Sequence, residues 1–455
     1  MSYTVAGTLH TDPRISEAKA LLIEAVKEQQ AKINGIRPGD PKLKMHYNQA
    51  LEKFGKLRGA NLWYPYLGSG LGKGPFVELL DGSVKYDFIC GIGVHYWGHS
   101  HPDIIAASID AAISNMTIQG NLQQNGDSLD LAELFVKASG MDHCFFTTSG
   151  VMANENALKI AFQKNAPANR ILTFEHTFSG RTYTFSQVSD KPLLRDGLPS
   201  NLCVDYLPFY DPKDPEGSTK RAVATLKKLL ARYPKRYAMM IFELVQGEGG
   251  CYPGSHEFFK PILEILKEHH IAIVADEVQT FGRTPQLFAY QHFKLEEYID
   301  IVTIGKVSQV CATLYRDEYN PRPGLVAQTF TSSTTAFHVS KVIVHGLIHD
   351  GFFGPDGKIK KIHDHFEHRL QEIAKRHPGL IEGPFGIGTM VAFTPFGGDA
   401  EKVKKFTYDL FDAGVMSFIA GESPTRVRFL LPIGAVTEKD VDAVCKIIEE
   451  TLLKN

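Results

Sequence analysis

The feature that most narrows the architecture open to this chain is an alternation of two sequence periods between Phe145 and Ile304. Short apolar, β-branched runs are separated there by helix-length amphipathic segments. The clearest unit lies between Arg236 and Gly282. Its first run, Tyr237–Val245, reads as a buried strand interrupted by one carboxylate, Glu243, and the glycine-rich turn Gly247-Glu248-Gly249-Gly250 follows. Ser255 can then cap a helix in which Phe258, Ile262, Ile265 and Leu266 recur at helical spacing. Pro261 suits that helix only in its first turn, where a missing N–H is tolerated. A second run, Ile271–Ala275, stops at Asp276. Strand, helix and strand in this order make a βαβ unit. Several in series predict an α/β fold whose mostly parallel sheet is covered by helices.

The flanks read differently. Ile15–Ile33 is an amphipathic helix pattern, a Gly/Pro-rich connection covers Tyr64–Pro75, and Phe76–Leu80 is strand-like before the turn Asp81-Gly82. Beyond Lys341, helices over Ile359–Lys375 and Glu438–Lys454 surround strands at Thr389–Phe393 and Arg426–Leu430. The expected division is therefore a large sheet domain over 76–340 and a smaller α+β domain over 341–455, to which residues 1–75 contribute. A chain of 455 residues is long enough for two to three domains.

Charge and composition exclude some functions. With 49 Lys+Arg against 51 Asp+Glu, the chain lacks the basic footprint of a nucleic-acid binder. No stretch nears the roughly 18 consecutive apolar residues of a membrane helix, so no membrane partner is expected. The opening M-S-Y-T-V-A-G has neither a basic nor an apolar leader region. Six scattered cysteines without a C-x-x-C pair suggest reduced thiols and a cytoplasmic protein. His99/His101 and His269/His270 do not form a helical His-x-x-x-His pair, and no metal site is expected.

In parallel sheets, ligands bind beyond the carboxyl ends of the strands, so polar residues that directly follow an apolar run are the candidates. Asp276 follows I-A-I-V-A, and Lys306 follows Asp300-Ile301-Val302-Thr303-Ile304-Gly305. Ser149-Gly150 joins the run Phe145–Thr148 to a helix-like segment. Singly, each has an ordinary reading as a turn carboxylate, a solvated amine or a helix cap. Together they form a set. A buried carboxylate needs a cationic or hydrogen-bonding partner. A desolvated lysine amine becomes a usable nucleophile for an aldehyde. A helix start attracts phosphate through its free N–H groups and dipole. Pyridoxal 5′-phosphate carries a basic ring nitrogen, an aldehyde and a phosphate that answer these three groups.

The order of motifs extends the pattern. G-H-S-H-P at Gly98–Pro102, S-G-V-M-A-N-E-N-A-L-K at Ser149–Lys159, F-S-G-R-T at Phe178–Thr182 and E-L-V-Q-G-E-G-G at Glu243–Gly250 come first. D-E-V-Q-T-F-G-R-T at Asp276–Thr284, D-I-V-T-I-G-K at Asp300–Lys306 and V-R-F-L-L-P at Val427–Pro432 follow. In these motifs the chain, from about Gly72 onward, resembles the class III aminotransferases. These are pyridoxal-phosphate enzymes of fold type I, like aspartate aminotransferase. The resemblance implies that Lys306 is the Schiff-base lysine and proton carrier, and that Asp276 keeps the ring nitrogen protonated. Gln279 would approach the phenolic oxygen, and Phe178 would stack on the ring. Ser149, Gly150 and Val151 would hold the phosphate, with Thr329 reaching it from a neighbouring subunit. That implies a homodimer with shared active sites. Arg181 would bind a distal carboxylate of the donor, and Arg428 the α-carboxylate of glutamate or 2-oxoglutarate. Glu248 would mask Arg428 when an ω-amine is the donor.

The implied activity moves a terminal amino group from an ω-amino acid to 2-oxoglutarate. Lysine, ornithine, acetylornithine and 4-aminobutyrate are the candidate donors. An aminomutase, racemase or dialkylglycine decarboxylase on the same scaffold is the alternative. The sequence departs from the family at Val151-Met152, at Ser179, at Thr331–Thr334 and at Val307–Cys311. The last, as Lys-x-x-Gln-Val-Cys, looks like the lysine ε-aminotransferases.

Overall fold

A computed structural model describes residues 4–454, so residues 1–3 of the opening stretch lie outside the described residues. The chain forms two compact units. The larger comprises Asn115–Lys360 with Phe385–Met390. The smaller takes the chain up to Ser114, Lys361–Pro384 and the chain from Val391 onward.

Seven strands build the main sheet of the larger unit: β1 His143–Thr147, β2 Arg170–Phe174, β3 Cys203–Leu207, β4 Tyr237–Phe242, β5 Ala272–Glu277, β6 Ile301–Ile304 and β7 Cys311–Tyr315. They lie side by side in the order β1-β7-β6-β5-β4-β2-β3. All neighbouring pairs from β6 to β3 are parallel, and β7 runs antiparallel to both β6 and β1. This is the mostly parallel sheet expected from the apolar runs. Every residue of β4, β5 and β6 is buried, which accounts for the apolar runs they carry.

Helices α1 Gly150–Lys164, α2 Pro215–Arg232 and α3 His256–Glu268 each start on a side-chain cap, from Ser149, Asp214 and Ser255 respectively. α3 carries Pro261 in its interior, not in the first turn where the sequence reading put it. Its apolar face explains the tolerance: Phe258, Phe259, Ile262, Leu263 and Leu266 are all buried. Their burial, at roughly 1.5–3 kcal/mol each, exceeds the roughly 3 kcal/mol cost of an interior proline.

The smaller unit holds two four-stranded sheets. In one, Gly68–Lys73, Phe76–Leu79 and Val84–Asp87 form an antiparallel meander, and Val415–Met416 runs parallel to its last strand. The other contains residues 381–384 of strand Ile381–Ile387, residues 391–395 of strand Met390–Pro395, Arg426–Leu430 and Phe418–Ala420 in that order. Phe88, Phe366, Phe393 and Phe429 pack ring against ring in its core.

These limits differ from the sequence division at 75/76 and 340/341, for identifiable reasons. The strands of 76–87 pair with Val415–Met416, and helix Pro102–Ala112 is tied to helix Pro13–Gln30 by the Lys19–Asp110 ion pair at 2.8 Å. At the other border, helix Thr334–His349 binds helix Gly126–Ser139 through Lys341 and Asp127 at 2.5 Å. Among the described residues, no helix is long and apolar enough to cross a membrane, and no group of His, Cys, Asp and Glu is arranged to hold a metal ion.

Candidate active site

Strands β4, β5 and β6 lie next to one another and end on polar groups: Glu243 after β4, Asp276 and Glu277 closing β5, and Gly305-Lys306 after β6. Successive side chains of a strand alternate faces, which separates the two carboxylates of β5. Asp276 faces a cavity of about 330 Å³ that is also lined by Lys306, Gln279, Phe178, Gly150, Val151 and Arg181. Glu277 turns the other way, where it accepts hydrogen bonds from the Thr280 hydroxyl and from the Tyr290 N–H at 3.0 Å.

Two glycines let these elements approach. A Cβ on Gly150 would lie 2.5 Å from Val278 Cγ1, so the start of α1 can sit this near the end of β5 only without a side chain. A Cβ on Gly305 would lie 3.0 Å from Cys311 Sγ and 3.3 Å from Val278 Cγ1. Lys306 then takes a left-handed backbone conformation, φ 53°, uncommon for a non-glycine residue. Ser149 spends its hydroxyl as the α1 cap, accepting from the Met152 N–H at 3.3 Å. Gly150 and Val151 line the cavity, and their N–H groups precede the first intrahelical bond of α1.

Burial dominates the electrostatics. It raises the Asp276 carboxyl above the usual carboxylate range. Opposing it are hydrogen bonds from Asn154 Nδ2 at 2.8 Å and the Val278 N–H at 3.1 Å, and the nearby Lys306 charge. Glu243, 5% exposed, is pushed up to about 8, first by burial and then by the charge of Asp276. Its two oxygens accept from the Phe178 N–H at 3.0 Å and the Gly247 N–H at 3.1 Å. Burial also pushes Glu277 up to about 7.

The residues singled out in the sequence fall into two groups. Lys306, Asp276, Gln279, Phe178, Gly150, Val151 and Arg181 share the cavity. Arg181 is exposed, with its guanidinium 5.5 Å from the centre of the Phe178 ring. The others do not line it. Glu248 forms an ion pair with Lys191 at 3.1 Å. Thr329 is exposed on the connection before Ser332–Ser333. Arg428 belongs to the smaller unit, where it is fully buried on strand Arg426–Leu430 with its guanidinium 5.7 Å from the Phe418 ring.

Sequence reasoning missed Asn154, Lys191 and the part played by Glu243. Glu243 meets the same test that found Asp276, a polar residue at the end of an apolar run. Asn154 stands four residues after Gly150, the spacing that places two side chains on one helix face. Lys191 carried no signal, being 57 residues from its partner in sequence.

The lining fits pyridoxal 5′-phosphate. A helix start without side-chain obstruction suits the phosphate, an amine suits the aldehyde, and a buried carboxylate hydrogen-bonded by neutral donors suits a basic ring nitrogen. Comparison with known proteins agrees. The family model described as Aminotransferase class-III matches residues 69–452. Acetylornithine aminotransferase of Methanocaldococcus jannaschii is 30% identical over 83% of this chain and 92% of its own length. The enzyme of the same name from Caldanaerobacter subterraneus is 27% identical over 84% and 93%. Among solved structures, lysine aminotransferase from M. tuberculosis superimposes with a TM-score of 0.78 at 22% identity, covering 89% of this chain and 99% of that one. Ornithine aminotransferase from Toxoplasma gondii gives 0.77 at 22%, covering 89% and 94%. At these identities the structural likeness shows the fold, fold type I.

Proposed function

As a member of the class III aminotransferases, the chain is a pyridoxal-phosphate-dependent transaminase, and from that premise we propose that it moves the terminal amino group of an ω-amino acid to 2-oxoglutarate. The donor is of the lysine, ornithine, acetylornithine or 4-aminobutyrate type, and the products are a semialdehyde and glutamate. One observation carries this reading: Lys306, Asp276 and the glycine-cradled start of α1 converge on a single cavity that has a cation, Arg181, among its lining residues. A donor with an amine at one end and a carboxylate at the other matches that spread of charge.

When bound, the cofactor supplies an aldehyde that takes up an amino group and a ring that accepts electrons from the carbon losing a proton. Lys306 Nζ would remove that proton and return it to the carbon on the other side of the transferred nitrogen. Asp276, ionised, would hold a proton at the ring nitrogen. Gln279 would approach the phenolic oxygen and Phe178 would cover the ring, while Ser149, Gly150 and Val151 would anchor the phosphate. Arg181 takes the distal carboxylate of the donor, since guanidinium–carboxylate pairing can be bidentate. For switching between donor and acceptor we retain Glu248 and Arg428 on their motif positions, with Lys191 as the counter-ion that holds Glu248 meanwhile.

We read the working form as a cytoplasmic homodimer, with Thr329 supplied by the second copy. Phe330, 64% exposed, adjoins Thr329, and Met116 and Leu122 are exposed beside the paired strands Thr117–Ile118 and Ser332–Ser333. Large apolar side chains concentrated in one exposed region favour an interface.

The test is a donor panel. Each of lysine, ornithine, N-acetylornithine and 4-aminobutyrate is incubated with 2-oxoglutarate and the holoenzyme, and glutamate and semialdehyde are measured. Equal amounts of both from at least one donor support the reading. Release of carbon dioxide, or rearranged or racemised donor without glutamate, overturns it in favour of a decarboxylase, mutase or racemase.

A further inference from the structure

Asn154 is 1% exposed on α1, one turn beyond Gly150 and on the same helix face. Its Nδ2 donates to Asp276 Oδ2 at 2.8 Å and to the Ser179 carbonyl at 2.8 Å, and its Oδ1 accepts from Thr303 Oγ1 at 2.7 Å. The partners fix which way the amide points. A carboxylate and a carbonyl can only accept, so rotating the amide by half a turn would set oxygen against oxygen at both. Thr303, itself fully buried, is the cross-strand neighbour of Asp276 and stands three residues before Lys306. One side chain thus joins α1, the end of β5, the strand leading to Lys306 and the segment carrying Phe178.

We propose that Asn154 is the positioning residue of this site, fixing the Asp276 carboxylate relative to the start of α1 and to Lys306. The proposal rests on the reading of Asp276 as the ring-nitrogen partner. α1 touches the end of β5 at two points, the close approach of Gly150 to Val278 and the hydrogen bond from Asn154 to Asp276. Two contacts one helical turn apart set the spacing between a phosphate held at Gly150-Val151 and a nitrogen held by Asp276. The choice of an amide also has a consequence for charge. Burial works against an ionised Asp276, and Asn154 is the foremost group opposing it. An arginine or histidine there would neutralise the carboxylate. A neutral amide holds it in place and leaves its charge for the cofactor.

The test is a double-mutant cycle in the holoenzyme with Asn154→Ala, Asp276→Asn and the pair, supplemented by Thr303→Val. Three quantities are read: kcat and KM for the donor, the dissociation constant of pyridoxal phosphate from its fluorescence, and thermal stability. Loss of one hydrogen bond to a charged group predicts that Asn154→Ala lowers kcat about 10- to 100-fold and weakens cofactor retention about 10-fold, with KM within about 3-fold. In the Asp276→Asn background the same change alters each quantity by less than about 3-fold, because the two residues act as a unit. Thr303→Val, which removes the anchor and leaves the contact, shifts kcat in the same direction by about 3- to 10-fold. Wild-type kcat and retention in Asn154→Ala overturn the proposal, as do equal losses in both backgrounds, which would mean a merely structural role. If Asn154→Ala fails to fold, the Thr303→Val and Asp276→Asn cycle decides by the same criterion. Unchanged kcat in Asp276→Asn alone overturns the ring-nitrogen reading and this proposal with it, an outcome distinguishable from failure of the Asn154 contact.

Discussion

Replacing Glu243 by glutamine separates a buried acid from its proton. The Glu243 carboxyl, ordinarily near 4.5, is pushed up to about 8 in the fold. Between those pH values the folded protein keeps a proton that the unfolded chain has lost, so the native state binds more protons and stability falls as pH rises. The contribution is fully present below about pH 4.5 and is lost as pH climbs through about 8. At 1.36 kcal/mol per pH unit, the span from pH 5 to pH 8 corresponds to about 4 kcal/mol at most. The introduced amide cannot titrate, which removes this slope. It also has only one oxygen for the two N–H donors of Phe178 and Gly247, and the mismatch at the other costs about 1–3 kcal/mol at every pH. Glu243→Gln is therefore expected to be less stable than wild type at pH 5 and to match or exceed it at pH 8. Urea midpoints of both proteins without cofactor, measured at half-unit intervals from pH 5 to pH 8.5, will show whether the curves cross. Parallel curves with a constant offset would refute the reasoning, since Glu243 would then hold no extra proton.

Gly150→Ala sets a Cβ 2.5 Å from Val278 Cγ1, an overpacking of about 1–3 kcal/mol that moves the start of α1 off the cavity. Pyridoxal-phosphate retention should weaken about 10-fold by fluorescence titration, and unchanged retention would place the phosphate elsewhere. Arg181→Ala is expected to raise KM about 10-fold for a donor bearing a distal carboxylate and to leave a simple terminal amine unaffected. Equal effects on both would remove Arg181 from donor recognition. Introducing glutamate at both Leu122 and Phe330 should give a monomer by sedimentation; a surviving dimer would put the interface on another surface.

Those residues differ in how far the sequence alone could lead to them. Asp276, Lys306 and the Ser149-Gly150 turn were legible because each follows an apolar run, and a buried parallel strand makes its end visible as the first polar residue. The motifs then added Gln279, Phe178, Val151 and Arg181, which reach the cavity wall, and Glu248, Thr329 and Arg428, which like Ser149 do not line it. Asn154 was not legible. Its place depends on which face of α1 meets β5, and that is set by the close approach at Gly150. The partner of Glu248 was equally hidden, because ion pairs across a loop leave no local pattern. The sheet order shows the same limit. Adjacent βαβ units predict parallel neighbours, yet nothing local reveals that β7 inserts antiparallel between β6 and β1. The unit borders depend on Val84–Asp87 pairing with Val415–Met416, more than 300 residues later in the chain. Long-range pairing of short strands has no signature in either segment.

The account turns on Lys306 as the residue that binds the cofactor covalently and carries the proton. Reduction of the holoenzyme with borohydride, digestion and mass spectrometry of the peptides test this directly. The account predicts one pyridoxyl-labelled peptide, the one containing Lys306, and no label in Lys306→Ala. Label on a different lysine, or an unchanged absorbance spectrum and turnover in Lys306→Ala, would contradict it.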